Sequence, residues 1–78
     1  MSGKNEDLWK VFAEAAPYLS NLWWMRQVLT KLESETGDME EISRKLEEMM
    51  NNVDDVTKKT DILIFLNYVH RKGKPDLL

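Results

Sequence analysis

The chain has no cysteine. Disulfide staples, thiolate metal sites and thiol nucleophiles are therefore excluded. Absence of cysteine also suits a reducing compartment. Glycine occurs three times and proline twice, so there is neither a Gly-rich phosphate loop nor a flexible internal linker. Long apolar runs are missing too. The longest, ILIFLNYV at residues 62–69, falls far short of the roughly 20 residues that span a bilayer. The opening residues MSGKNED lack the apolar stretch of a secretory signal. These absences point to a cytoplasmic protein that neither spans nor lies on a membrane.

At 78 residues the chain is one domain, with 1–4 and 74–78 expected as flexible tails. A domain of this size buries only about 60% of its unfolded surface, so its stability margin is thin. Net charge is −3, too mild to name a partner. The charge is unevenly spread: −1 over residues 1–37 (four basic, five acidic), −5 over 38–55 (two basic, seven acidic) and +3 over 56–78 (five basic, two acidic). An acidic helix lying beside a basic helix end is the simplest account.

Hydrophobic spacing predicts four helices. The first, short one runs over residues 5–16, with Asn5 as N-cap, Glu6 and Asp7 in the first turn, and an apolar face of Leu8, Trp9, Val11, Phe12, Ala15 and Ala16. Pro17 disfavours helix at Ala16 and predicts a corner. The second helix starts at Pro17 or Ser20 and ends near Ser34. On a 100° wheel, Tyr18, Leu22, Met25, Leu29 and Leu32 fall within about 40° of one direction. Leu19 and Val28 stand on the shoulders of that stripe, with Trp23 and Trp24 just beyond them.

The third helix opens at Asp38, whose side chain is spaced to accept from the Glu41 N–H. Met39, Ile42, Leu46, Met49 and Val53 form its seam, and Asn51-Asn52 would end it in a left-handed cap. Asp54 or Asp55 caps the fourth helix, which reaches Lys72 with a face of Ile62, Phe65, Leu66 and Val69. Gly37 and Gly73 read as stops. The seam also continues through Val56 and Thr60 to Leu63, so one helix of about 35 residues is the alternative for 38–72, long against a mean near 11–12. The expected fold is an all-α, small antiparallel bundle of four helices, the first short.

Little here carries chemistry. His70 is the single histidine and has no ligand-type residue three or four positions before it, so no metal or other cofactor is expected. Glu40, Glu41, Glu47 and Glu48 occupy the polar side of an amphipathic helix, with Arg44 and Lys45 near them. Ser20, Ser34 and Ser43 lack a nucleophile setting. No catalytic residue, enzyme activity or small-molecule substrate is expected.

The second helix carries the functional signal. Its apolar arc is about 220° wide, roughly twice what docking on one neighbour needs. Trp23, Trp24, Leu19, Val28 and the off-seam Met50 are the candidate interface residues, one tryptophan facing the core and the other a partner. The expected function is a non-enzymatic protein–protein interaction module, a small regulator, adaptor or inhibitor acting through an apolar Trp/Met surface, as a homodimer. Two alternatives involve nucleic acid. Residues 38–72 have the length of a helix-turn-helix, with Lys58-Lys59 early in its second helix, although Asp54, Asp55 and Asp61 surround them. An acidic protein could also occupy a nucleic-acid channel on its target.

Overall fold

The computed structural model describes residues 6–73, with the side chains of 6–71. The Asn5 cap and the tails 1–4 and 74–78 lie outside the described residues. Among those described, the chain is all-α and contains no strand. It has α1 (Glu6–Ala15), a 3-10 turn (Ala16–Tyr18), α2 (Leu22–Glu35), α3 (Met39–Asn52) and α4 (Val56–Gly73).

Each helix contributes its apolar stripe to one core. Leu8 and Val11 come from α1, Met25, Leu29 and Leu32 from α2, Ile42 and Leu46 from α3, and Ile62, Phe65 and Leu66 from α4. α4 packs against both α1 and α3, and α2 packs on α3. The radius of gyration is 12.0 Å, against about 11.5 Å for a folded chain of this length, so the four helices close on one another.

The helix ends depart from the sequence expectation in instructive ways. Pro17 produces a corner, as expected, but the corner is longer. Pro17 sits in the 3-10 turn, Leu19 is extended, and α2 does not begin until Leu22. Tyr18 therefore leaves the α2 wheel and is 62% exposed, and Leu22, now in the first turn, is also exposed. The stripe keeps Met25, Leu29 and Leu32.

Asp38 caps α3, but it accepts from the Glu40 N–H at 3.1 Å rather than from Glu41. Glu41 turns outward to Arg44 at 2.9 Å, and the Asp38 N–H donates to Thr36 Oγ1 at 3.1 Å. Neither expected left-handed stop forms. Thr36 (φ −154°, ψ 145°) ends α2 and Val53 (φ −87°, ψ 139°) ends α3, both as extended residues. Extended backbone carries the chain out of a helix without needing Gly or Asn. Asn52 remains helical and donates its side-chain N–H to the Glu48 carbonyl at 3.1 Å.

The break at 53–55 rules out a single helix over 38–72. Asp55 caps α4, and Val56, which would continue the seam, is 72% exposed. No helix among the described residues is long and apolar enough to cross a membrane.

Candidate interaction groove

α2 meets its neighbours differently on its two flanks. On one flank, α1 lays Trp9 and Phe12 beside it. Their rings sit edge to face at 5.6 Å and 80°, a favourable arrangement of aromatic quadrupoles. The Trp9 indole N–H donates to the Glu33 carboxylate at 3.2 and 3.3 Å, which fixes α1 against the far half of α2. Between the two helices runs an open groove of about 500 Å³ lined by Trp9, Phe12, Leu22, Trp23, Arg26 and Thr30. Trp23 forms its lip and is 69% exposed. The Arg26 guanidinium lies 5.7 Å from the centre of the Trp23 ring.

On the other flank Trp24 is half-buried against the core. The Lys58 ammonium of α4 stands 5.0 Å over its ring, within cation–π range. The structure thus separates the adjacent tryptophans, one packed and clamped, the other open to solvent. Leu19, Val28 and Met50 are half-buried and pack on the core with Trp24. Of the five sequence candidates only Trp23 lines the groove. Leu22, Trp9 and Phe12 join it there, although hydrophobic spacing places Leu22 on the inward stripe of α2 and Trp9 and Phe12 on the apolar face of α1.

A second polar centre went unread. Asp61 of α4 is fully buried. An isolated buried carboxylate is costly unless its oxygens are bonded. Here Oδ1 accepts from the Ser20 N–H at 2.9 Å and Oδ2 from the Asn21 N–H at 2.6 Å. The Asn21 side chain does not cap its own helix. It donates instead to Thr57 Oγ1 of α4 at 3.0 Å. α4 therefore anchors the start of α2 through Thr57, Lys58 and Asp61, and so sets where Trp23 and Trp24 point. One signal was available: Asp61 stands four residues before Phe65, on the apolar stripe of α4.

His70 is exposed. Among the described residues no three His, Asp or Glu side chains converge in a metal-like cluster.

Fold and groove together define a small all-helical domain with an aromatic cleft between its first two helices. The chain belongs to the MJ1579 family, which matches it over residues 5–73. A relative from Methanocaldococcus jannaschii, whose name reads uncharacterized protein MJ1579, is 32% identical over 62 residues, covering 78% of this chain and 83% of that protein. No solved structure matches the chain at a significant level.

Proposed function

We propose that the protein is a non-enzymatic interaction module of the cytoplasm, a small regulator, adaptor or inhibitor that binds a protein partner through the α1–α2 groove. The observation that carries this reading is Trp23: a tryptophan 69% exposed at the lip of an apolar cleft. Left in water, that surface costs about 25 cal/mol per Å². Tryptophan is also the residue type most enriched where binding energy concentrates. Met50 and Trp24, packed inward, act as support for the surface rather than as contacts.

The Lys58 ammonium is engaged over Trp24, which removes one of the two lysines that a DNA-reading α4 would use. Asp54 and Asp55 stand in the link just before it. The groove is therefore the favoured surface.

Iodide quenching combined with sedimentation tests the proposal. Trp23 should be the tryptophan accessible to iodide in the free protein, with quenching largely lost in Trp23→Ala. Association with a partner, or with a second copy, should disappear in the same variant. If binding survives Trp23→Ala unchanged, the groove is not the binding surface.

A further inference from the structure

Around Trp23 the solvent face of α2 carries basic side chains, Arg26 and Lys31. Both of its glutamates turn to internal partners. Glu33 accepts the Trp9 N–H, and Glu35 lies 3.8 Å from the Lys45 ammonium of α3. The hydroxyls on the exposed side are likewise satisfied locally, Thr30 by the Arg26 carbonyl at 2.8 Å and Ser34 by the Lys31 carbonyl at 2.7 Å. Arg26 and Lys31 remain. They are exposed and flank Trp23 by about 60° and 80° around the helix. Among the described residues neither has a carboxylate within ion-pair distance. In a chain of net charge −3, the charged side chains that flank the exposed tryptophan on its own helix are both cations.

This pattern bears on the occupant of the groove. A homodimer built on the face would bring two copies of the Arg26 and Lys31 pair into one interface, four cations with no carboxylate from the lining residues, because a two-fold interface uses one patch twice. Like charges at an interface select against that pairing. A single-stranded nucleic acid could stack its bases on the aromatics of the groove but needs a basic track for its backbone, and this face offers two cations in a chain of net charge −3. Helix-in-groove recognition, in which apolar side chains one turn apart enter a hydrophobic cleft, fits the shape.

We propose that the groove binds an acidic amphipathic helix of another protein, its apolar side chains entering between Trp9 and Trp23 and a flanking carboxylate meeting Arg26, with Lys31 adding charge of the same sign. The inference rests on the groove being an interaction surface and adds the chemistry of its partner.

The test uses two fluorescein-labelled synthetic peptides of about 18 residues, long enough for substantial helix. They share one Leu/Phe face and carry either Glu or Lys beside it. Anisotropy titrations against the full chain should show the Glu peptide binding at least about tenfold more tightly. The gap should narrow as salt rises from about 0.05 to 0.5 M. Arg26→Glu, a surface change checked for folding by circular dichroism, should reverse the preference, and Trp23→Ala should abolish binding of both peptides. Equal or tighter binding of the Lys peptide overturns the inference. If Trp23→Ala still abolishes binding in that case, the groove survives as an interaction surface and only the partner's charge is wrong. If neither peptide binds and a Trp23-dependent dimer sediments, the occupant is a second copy and the inference falls. Tighter Trp23-dependent binding of labelled oligo-dT overturns it in favour of nucleic acid. No binding and no dimer overturns both readings.

Discussion

At the scale of single residues, Asp61 has the largest ratio of consequence to visibility. A carboxylate set on the stripe of Ile62, Phe65 and Leu66 is tolerated because the Ser20 and Asn21 amides each take one of its oxygens. Asp61→Ala leaves two part-buried amides without partners, and an unpaired buried group costs about 1–3 kcal/mol. A loss of about 2–4 kcal/mol is expected in urea unfolding. Asp61→Asn, which keeps one acceptor, should lose about half as much. The apolar centres behave more conventionally. Leu29 and Leu46 are fully buried, and truncating either to alanine should cost about 2–5 kcal/mol by denaturant melts, a large share of the stability of so small a domain. Those leucines were legible from spacing alone. Asp61 was not, because local sequence reveals a polar residue on a buried face but not the amides, some 40 residues away, that satisfy it.

At the scale of elements, the capped starts of α3 and α4 and the positions of the stops were legible, whereas the start of α2 and the backbone conformation of the stops were not. A carboxylate cap is a local hydrogen bond to one of the first amides of the helix, so Asp38, and Asp54 or Asp55, could be picked out by position. Asp55 shows the energetic consequence. Its side chain accepts from Thr57 Oγ1–H at 2.7 Å and from the Thr57 N–H at 2.9 Å. These two bonds, the hydroxyl first, hold its pKa below the ordinary 3.8. A depressed carboxylate stabilises the fold above the unfolded pKa and loses that contribution as pH falls through the folded one. Stability should therefore decline below pH 3.8, and Asp55→Asn or Thr57→Val should flatten that acid limb in pH-dependent melts. Stops have more solutions. An extended residue serves as well as a left-handed one, and the chain uses Thr36 and Val53. Gly37 is consequently not required by its backbone, which lies outside the left-handed region, and a Cβ there would meet nothing within 4 Å. Gly37→Ala should raise stability by about 0.4–1 kcal/mol by restricting the unfolded chain, read as a higher melting temperature. A loss of stability would show that the 36–38 link needs glycine.

At the scale of the whole molecule, four helices and one core were readable from periodicity, whereas the fate of each tryptophan depended on packing. The wheel placed Trp23 and Trp24 on opposite flanks and could rank neither. Contacts from distant segments decide between them. α4 sends Lys58 over Trp24, while α1 covers its flank of α2 only in part, with Trp9 and Phe12. Delaying α2 to Leu22 also removes Tyr18 and Leu19 from the helix, so part of the wide apolar arc was an artefact of assuming an earlier start. Tyr18 stacks instead near Tyr68, with centroids 6.2 Å apart and planes at 22°. A surface built for binding rather than for folding should be separable from stability. Trp23→Ala is accordingly expected to leave the unfolding free energy within about 0.5 kcal/mol of the parent. A larger loss in chemical denaturation would return Trp23 to the core and remove the basis of the groove.

The bond from Asp61 to the start of α2 has one more consequence, and it concerns the order of events on the ribosome. A chain emerges at about 5–20 residues per second, so Ser20 and Asn21 leave the tunnel seconds before the carboxylate that will receive their amides. Until α4 follows, α2 has neither its distant anchor nor a side-chain cap of its own, and Trp24 lacks both Lys58 and the core that Phe65 completes. The nascent chain thus passes through a stage in which both tryptophans of α2 are uncovered. Until residue 61 emerges, the chain lacks the contacts that hold the start of α2 and cover Trp24.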